Sequence, residues 1–178
     1  AIDMHATCLD QRSRMTDRPL DVLRKAAQAG ITAVLCTGRN LGCIPHRLAA
    51  GVLRESKTED DEKNKDLFRY VITSNGAMVT DVKEKKTLFR ALIKKEDALS
   101  ILSDCRKEKF GIAAHVRHRY FAQGKLFTSA GRIVYGKDAA AVCCVRNMEE
   151  ILSKSDCDVE ELQFYFPTSK DKEKLKEI

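Results

Sequence analysis

Three apolar runs near the start of the chain each end in a short polar turn, and the residues in those turns are of types that handle phosphate. The first, AIDMH, carries Asp3 and, two places on, His5; the second, VLCTGRN, carries Thr37, Gly38 and Arg39; the third, YVITSNG, ends on Asn75 and Gly76. A carboxylate can attack phosphorus or bind a metal, and a hydroxyl with turn N–H groups can hold phosphoryl oxygens. Singly, each piece is ordinary: a strand-end Asp is usually a cap or turn former, and Thr-Gly and Ser-Asn-Gly are common turns. Their joint occurrence raises a phosphate site above three unrelated turns, because open parallel α/β sheets bind ligands beyond the carboxyl ends of their strands.

The elements that would deliver these residues follow from the pattern. Ala1 to Met4 reads as a short strand, and Thr16 caps a helix with Pro19 in its first turn and Gly30 as its stop. ITAVLCTGR is a continuous apolar run, as in a parallel strand buried on both faces, so strand, helix and strand make a βαβ unit. A second helix is expected across Ile44 to Leu53, a solvated loop or frayed helix end across Glu55 to Asp66, a third strand in YVIT, and a hairpin from AMVTDV and TLFRAL. Beyond Lys94 the texture becomes α+β. EDALSILSDCRKEKFG reads as an amphipathic helix ending at Gly111, GIAAHVR, RYFAQ, KLFTSA and RIVYG as short strands, Asn147 to Lys154 as a helix and VEELQFYF as a strand, with a last helix opening at Thr168-Ser169. The fold class is therefore α/β, a Rossmann-like parallel-sheet core over residues 1–90 with an α+β cap over 91–178.

The composition, 43% hydrophobic and 33% charged with net charge +6, is that of an ordinary soluble globular chain. Seven cysteines without framework spacing, the adjacent pair Cys143-Cys144 included, read as reduced thiols of a cytoplasmic protein rather than as a zinc or redox site. No apolar run approaches the length of a membrane span, and no signal peptide is read.

At these residues the chain resembles a known family. AIDMHATCLD, VLCTGRN and YVITSNGAMV look like the first motif, the second motif and the third-strand signature of haloacid-dehalogenase-like hydrolases, and of their Cof-type phosphatase subfamily in particular. The resemblance extends over essentially the whole chain, the segment after residue 90 being similar to the start of that subfamily's cap. It implies a magnesium-dependent phosphatase acting on a small phosphorylated metabolite through an aspartyl-phosphate. Asp3 would be the nucleophile and residue 5 the proton donor and water activator. Thr37, Gly38, Arg39 and Asn75 would bind phosphate and substrate. Asp3 and the backbone carbonyl of His5 would ligate Mg2+, with an acid from a later motif.

Two departures bear on activity. Where the family carries Asp and then Gly, this chain has His5 and Ala6. Imidazole titrates near pH ~6.5 and can act as acid or base, but it is bulkier and becomes a cation beside the metal. No GDxxxD-like run follows, so the chain is expected to be incomplete at its C-terminal side, to bind magnesium weakly or not at all, and to be impaired as an enzyme. An apolar face around Val34, Val71 and Ile72 is expected to be left exposed. The rival readings are a non-catalytic module for anionic ligands on the same fold, and a nucleic-acid binder using the basic stretch Arg106 to Arg119. The low aromatic content of 6% and the lack of an RNA- or DNA-reading motif disfavour the latter, so neither nucleic acid nor membrane is expected as a partner. The residues specify no oligomeric state.

Overall fold

The structure is a computed structural model that describes residues 1–5, 7–48, 55–108, 110–135, 142–166 and 168–177. In the first part of the chain β1 (Ile2–Asp3), β2 (Val34–Cys36) and β3 (Tyr70–Thr73) run parallel. β4 (Met78–Asp81) and β5 (Lys86–Arg90) then fold back antiparallel, giving a sheet of order β1-β2-β3-β4-β5. α1 (Asp17–Gln28) makes the crossover from β1 to β2. It stops at Gly30, whose φ of +77° is left-handed, and the N–H groups of Gly30 and Ile31 return to the carbonyls of Ala27 and Ala26 at 3.0 and 2.9 Å.

Burial follows the pleat. Leu35 and Val71 pair across β2 and β3 and are buried in one cluster with Leu20 and Leu23 of α1, whereas the Val34–Tyr70 and Cys36–Ile72 pairs on the opposite face are half-buried. ITAVLCTGR is thus a shorter strand than expected and is not buried on both faces, while Val71, expected at an exposed face, lies under α1 in the core.

The second sheet contains β6 (Gly111–Val116), β7 (Arg119–Gln123), β8 (Val142–Val145) and β9 (Glu161–Tyr165) in the order β8-β7-β6-β9. α3 (Lys95–Asp104) and α5 (Met148–Lys154) bury Ala98, Leu102, Met148 and Leu152 against Ala114, Val116 and Val145 on one face. α4 (Lys125–Tyr135) brings Tyr135 onto Tyr120, Ala122 and Val142 on the other. α6 (Ser169–Glu177) follows β9. The chain is α/β, a Rossmann-like mixed sheet followed by this second, helix-covered sheet. Among the described residues no helix is long and apolar enough to cross a membrane.

Several expected elements change. KLFTSA and RIVYG are one helix, α4, and VCCV is the strand β8. Because β7 and β8 run parallel, they need a crossover, and α4 supplies it. Its β-branched and aromatic residues read as strand, but Phe127, Thr128, Gly131 and Tyr135 return at helical spacing toward the sheet, while Leu126 and Ile133 are exposed. Ile44 is extended between two 3₁₀ turns (Leu41–Cys43 and His46–Leu48) instead of opening a helix, as the following Pro45 requires; residues 49–53 of that expected helix lie outside the described residues. The acidic segment forms α2 (Glu59–Asn64), because Thr58 accepts from the Asp61 N–H at 3.1 Å and acids in the first turn suit the helix dipole. The basic stretch is a helix end and a hairpin turn, with Arg106 paired to Glu149 at 2.6 Å and Arg117 to Asp156.

Gly111 does not end a helix. It opens β6, where a Cβ would lie 2.2 Å from the Phe127 ring. Gly111→Ala should therefore cost about 1–3 kcal/mol by overpacking, measured by urea unfolding, and the cost should shrink when Phe127→Ala is combined with it.

Candidate active site

The tight turn after β1 leaves Asp3 at its carboxyl end. The Met4 N–H donates to the Cys36 carbonyl at 3.1 Å, Cys8 and Leu9 return to the Met4 carbonyl, and the His5 N–H donates to Asp3 Oδ1 at 3.3 Å. Asp3 and His5 are exposed; Ala6 lies outside the described residues. At the end of β2, the Thr37 N–H donates to the Ile72 carbonyl at 2.9 Å, and Thr37 Oγ1 accepts from the Arg39 N–H at 3.1 Å. The Arg39 guanidinium is buried, donates to the Cys43 carbonyl at 3.1 Å and lies 4.8 Å over the Tyr135 ring of α4.

The turn after β3 is left-handed throughout, with φ of 49°, 53° and 98° at Ser74, Asn75 and Gly76. Asn and Gly tolerate this backbone best. It aims the Ser74 and Asn75 N–H groups at the carbonyls of Arg39 and Thr37, tying the third strand end to the second. The Asn75 amide then lies against Gly38, where a Cβ would meet Asn75 Oδ1 at 2.7 Å, so only glycine fits. Asp3, His5, Thr37, Gly38, Arg39 and Asn75 all line one cavity of about 380 Å³, which Val134 and Tyr135 of α4 and Gln163 of β9 close from the second sheet.

A polar network that the sequence reading missed joins the sheets beside this cavity. Ser74 Oγ donates to Glu160 Oε2 at 3.0 Å and lies 3.1 Å from His115 Nδ1, and Asn75 Nδ2 donates to Glu161 Oε1 at 2.7 Å. Since the Ser74 proton goes to Glu160, the fully buried His115 must carry its proton on Nδ1 and donate to Ser74. His115 Nδ1 is also 3.1 Å from Glu161 Oε2, and Glu160 Oε1 accepts the His118 N–H at 2.7 Å, with His118 Nδ1 at 3.3 Å in an ion-pair contact. The signals were a histidine within the apolar GIAAHVR and an acidic pair opening an otherwise apolar strand. Burial pushes Glu160 up, but the His118 imidazole and N–H and the Ser74 hydroxyl outweigh it and hold the carboxyl below its usual range. Burial likewise raises Glu161, and His115, Gln163 and Asn75 bring it below. Glu160 holds His118 above its ordinary value against the opposing effect of burial.

An acid, a hydroxyl-bearing loop and an amide turn thus stand at the ends of three adjacent strands, β1, β2 and β3. The model of haloacid dehalogenase-like hydrolases matches residues 1–178, and the chain belongs to that family. The Bacillus subtilis (strain 168) protein YxeH, whose name proposes a phosphatase activity, is 32% identical over 101 residues, 57% of this chain and 33% of that protein. A haloacid dehalogenase-like hydrolase from B. subtilis superposes with a TM-score of 0.71 at 18% identity, over 97% of this chain and 63% of its own. The sugar phosphatase BT4131, of haloacid dehalogenase subclass IIB, superposes with a TM-score of 0.68 at 16% identity, over 97% and 60%. At these identities the solved structures establish a shared fold. The match covers a third of the length of YxeH, by the 33% coverage, and about three fifths of these structures.

Phosphatases of this family generally use magnesium. Mg2+ demands near-octahedral oxygen ligation. Asp3 is the one carboxylate among the described residues that line the cavity, and among those residues no three His, Cys, Asp or Glu side chains gather as a metal group. Asp3 with the His5 carbonyl falls short of a magnesium site.

The His118–Glu160 pair has a definite pH window. Its His118 contribution is fully present below the unfolded imidazole value of 6.5 and is lost as pH rises through the raised folded value. The Glu160 contribution is present above 4.5 and is lost as pH falls through the depressed folded value. The difference in thermal midpoint between the natural chain and His118→Gln should therefore be widest between those limits and shrink on raising the pH past the His118 titration.

Proposed function

We propose that the chain carries the phosphoryl-transfer site of a haloacid-dehalogenase-like phosphatase acting on a small phosphorylated metabolite, with residues 1–90 as its core part and 91–178 as a cap. The observation that carries this reading is the convergence of Asp3, His5, Thr37, Gly38, Arg39 and Asn75 on one cavity of about 380 Å³, a size suited to a small ester. An Asp3 carboxylate oxygen attacks phosphorus, forming an aspartyl-phosphate as the bond to the ester oxygen breaks. The Thr37 hydroxyl and the Gly38 N–H hold the phosphoryl oxygens, together with the second Nδ2 proton of the Asn75 amide. Arg39 acts at one remove, its guanidinium fixing the loop through the Cys43 carbonyl and Tyr135. The His5 imidazole gives a proton to the departing oxygen and then takes one from the water that cleaves the acyl phosphate. With His5 where the family has a carboxylate, this step is impaired.

The same impairment favours a second reading, a module that binds phosphate esters without turning them over. Phosphate release from p-nitrophenyl phosphate, with and without added magnesium, separates the two. The phosphatase reading expects slow release that Asp3→Asn abolishes and that His5→Asp raises by about 10²–10⁴-fold, the usual worth of a well-placed acid–base group. Stoichiometric binding with no release from either the natural chain or His5→Asp would establish the binding module instead.

A further inference from the structure

The left-handed turn at Ser74 and Asn75 is gripped by side chains of the other sheet. Glu160 accepts the Ser74 hydroxyl at 3.0 Å and Glu161 accepts Asn75 Nδ2 at 2.7 Å. The Asn75 bond does more than join the sheets, because it fixes the sense of the amide: with Nδ2 on Glu161, Oδ1 lies over Gly38. A flipped amide would set its oxygen against the Glu161 carboxylate, acceptor against acceptor, and lose a charge-assisted bond.

Glu161 is itself held. Gln163 Nε2 donates to the same Oε1 at 3.0 Å, and His115 Nδ1 stands 3.1 Å from the other oxygen. Gln163 Oε1 in turn accepts from the Tyr165 hydroxyl at 2.8 Å, which lies 2.8 Å from that of Tyr120. Residues 161, 163 and 165 share one face of β9, so the strand's pleat sets the whole string in register. With Oε1 shared by the amides of Asn75 and Gln163, Glu161 acts on a bound anion through the groups it holds.

We propose that Glu161 is a positioning residue: it orients the Asn75 amide at the cavity and so makes anion binding by the first sheet depend on β9. The proposal rests on the reading of Asn75 as part of the phosphate-binding site. Its test uses the whole chain in two measurements, the ¹H–¹⁵N side-chain amide signals of Asn75 and calorimetric titration with inorganic phosphate. Glu161→Gln should move the Asn75 amide signals while leaving the backbone spectrum folded, and should weaken phosphate roughly tenfold, the worth of a charged hydrogen bond. Asn75→Ala should weaken phosphate by a similar factor, and adding Glu161→Gln to it should change affinity no further, since Glu161 acts through Asn75. A merely structural Glu161 would instead weaken both backgrounds alike.

Unmoved Asn75 signals in a Glu161→Gln chain that still binds phosphate, or multiplying losses in the double variant, would overturn the positioning role alone. If the natural chain takes up no phosphate, the reading of the site fails, and the positioning role with it, whatever the Asn75 signals do. Should Glu161→Gln not fold, Glu161→Asp, which keeps the charge but shortens its reach, enters the same cycle with the same expected pattern.

Discussion

Glu160 sits where two left-handed turns meet, and its carboxylate holds both. One turn carries Ser74 and Asn75 at φ of 49° and 53°; the other carries Arg117 and His118 at 50° and 61°. Each non-glycine residue in that region costs roughly 1–2 kcal/mol, somewhat less for Asn. Glu160 accepts the Ser74 hydroxyl from the first turn and the His118 N–H from the second, and charge-assisted bonds of about 1.5–3 kcal/mol each are of the size needed to offset the strain. Its own N–H donates to the His115 carbonyl at 2.8 Å, so the carboxylate is presented from a backbone already fixed to β6. Without it the Ser74 proton has no charged acceptor, the His115 Nδ1–H loses a well-oriented oxygen, and the turn that carries Asn75 is left to hold itself.

The contact between the sheets is therefore polar at its centre and apolar at one flank. Cys43, from the loop after β2, is buried in a cluster with Ala113, Tyr120, Ala122, Tyr135 and Val142, and Arg39 stacks on the same Tyr135. The Gly42 N–H reaches the His118 carbonyl at 3.1 Å. An apolar contact tolerates sliding, whereas the hydrogen bonds from Ser74 and Asn75 to Glu160 and Glu161 form in one relative placement only. The consequence is positional: the cavity has walls from both sheets, so anything that shifts one sheet on the other changes the cavity before it changes either core.

How legible all this was in the sequence divides by the kind of residue involved. The first sheet could be read because its strands end in residues with few other reasons to be there: Asp3 after an apolar step, Thr37-Gly38, and Ser74-Asn75-Gly76. α4 could not, because Phe127, Ile133 and Val134 favour strand locally, and only the parallel pairing of β7 with β8 demands a helix between them. α2 was hidden by its charge, although Thr58 followed three places on by Asp61 is a cap signal in plain view. The second sheet's share of the site was hidden differently. Glu160 and Glu161 look like surface acids, and His115 in an apolar strand looks like a satisfied core histidine. What they do depends on meeting Ser74 and Asn75, which are 86 residues from the glutamates, and local pattern holds no record of such a meeting.

The chemistry at Asp3 turns on what His5 can replace. Nδ1 of an imidazole stands as many bonds from the backbone as a carboxylate oxygen of aspartate, so a proton carried there starts from a comparable place. The ring is larger, but His5 is exposed and the cavity has room for it. The difference is restraint. The His5 backbone N–H is held by Asp3 Oδ1, yet among the described residues no hydrogen bond holds its ring. By contrast the hydroxyl of Thr37 is buried and engaged, and the Asn75 amide is pinned between Gly38 and Glu161. General acid–base catalysis draws its advantage from a proton carrier already at the right distance and angle, and a ring that no hydrogen bond holds gives much of that up. The groups that would bind the phosphoryl end are thus held by hydrogen bonds while the ring that would move the proton is not, so this site should recognise a phosphate ester better than it turns one over.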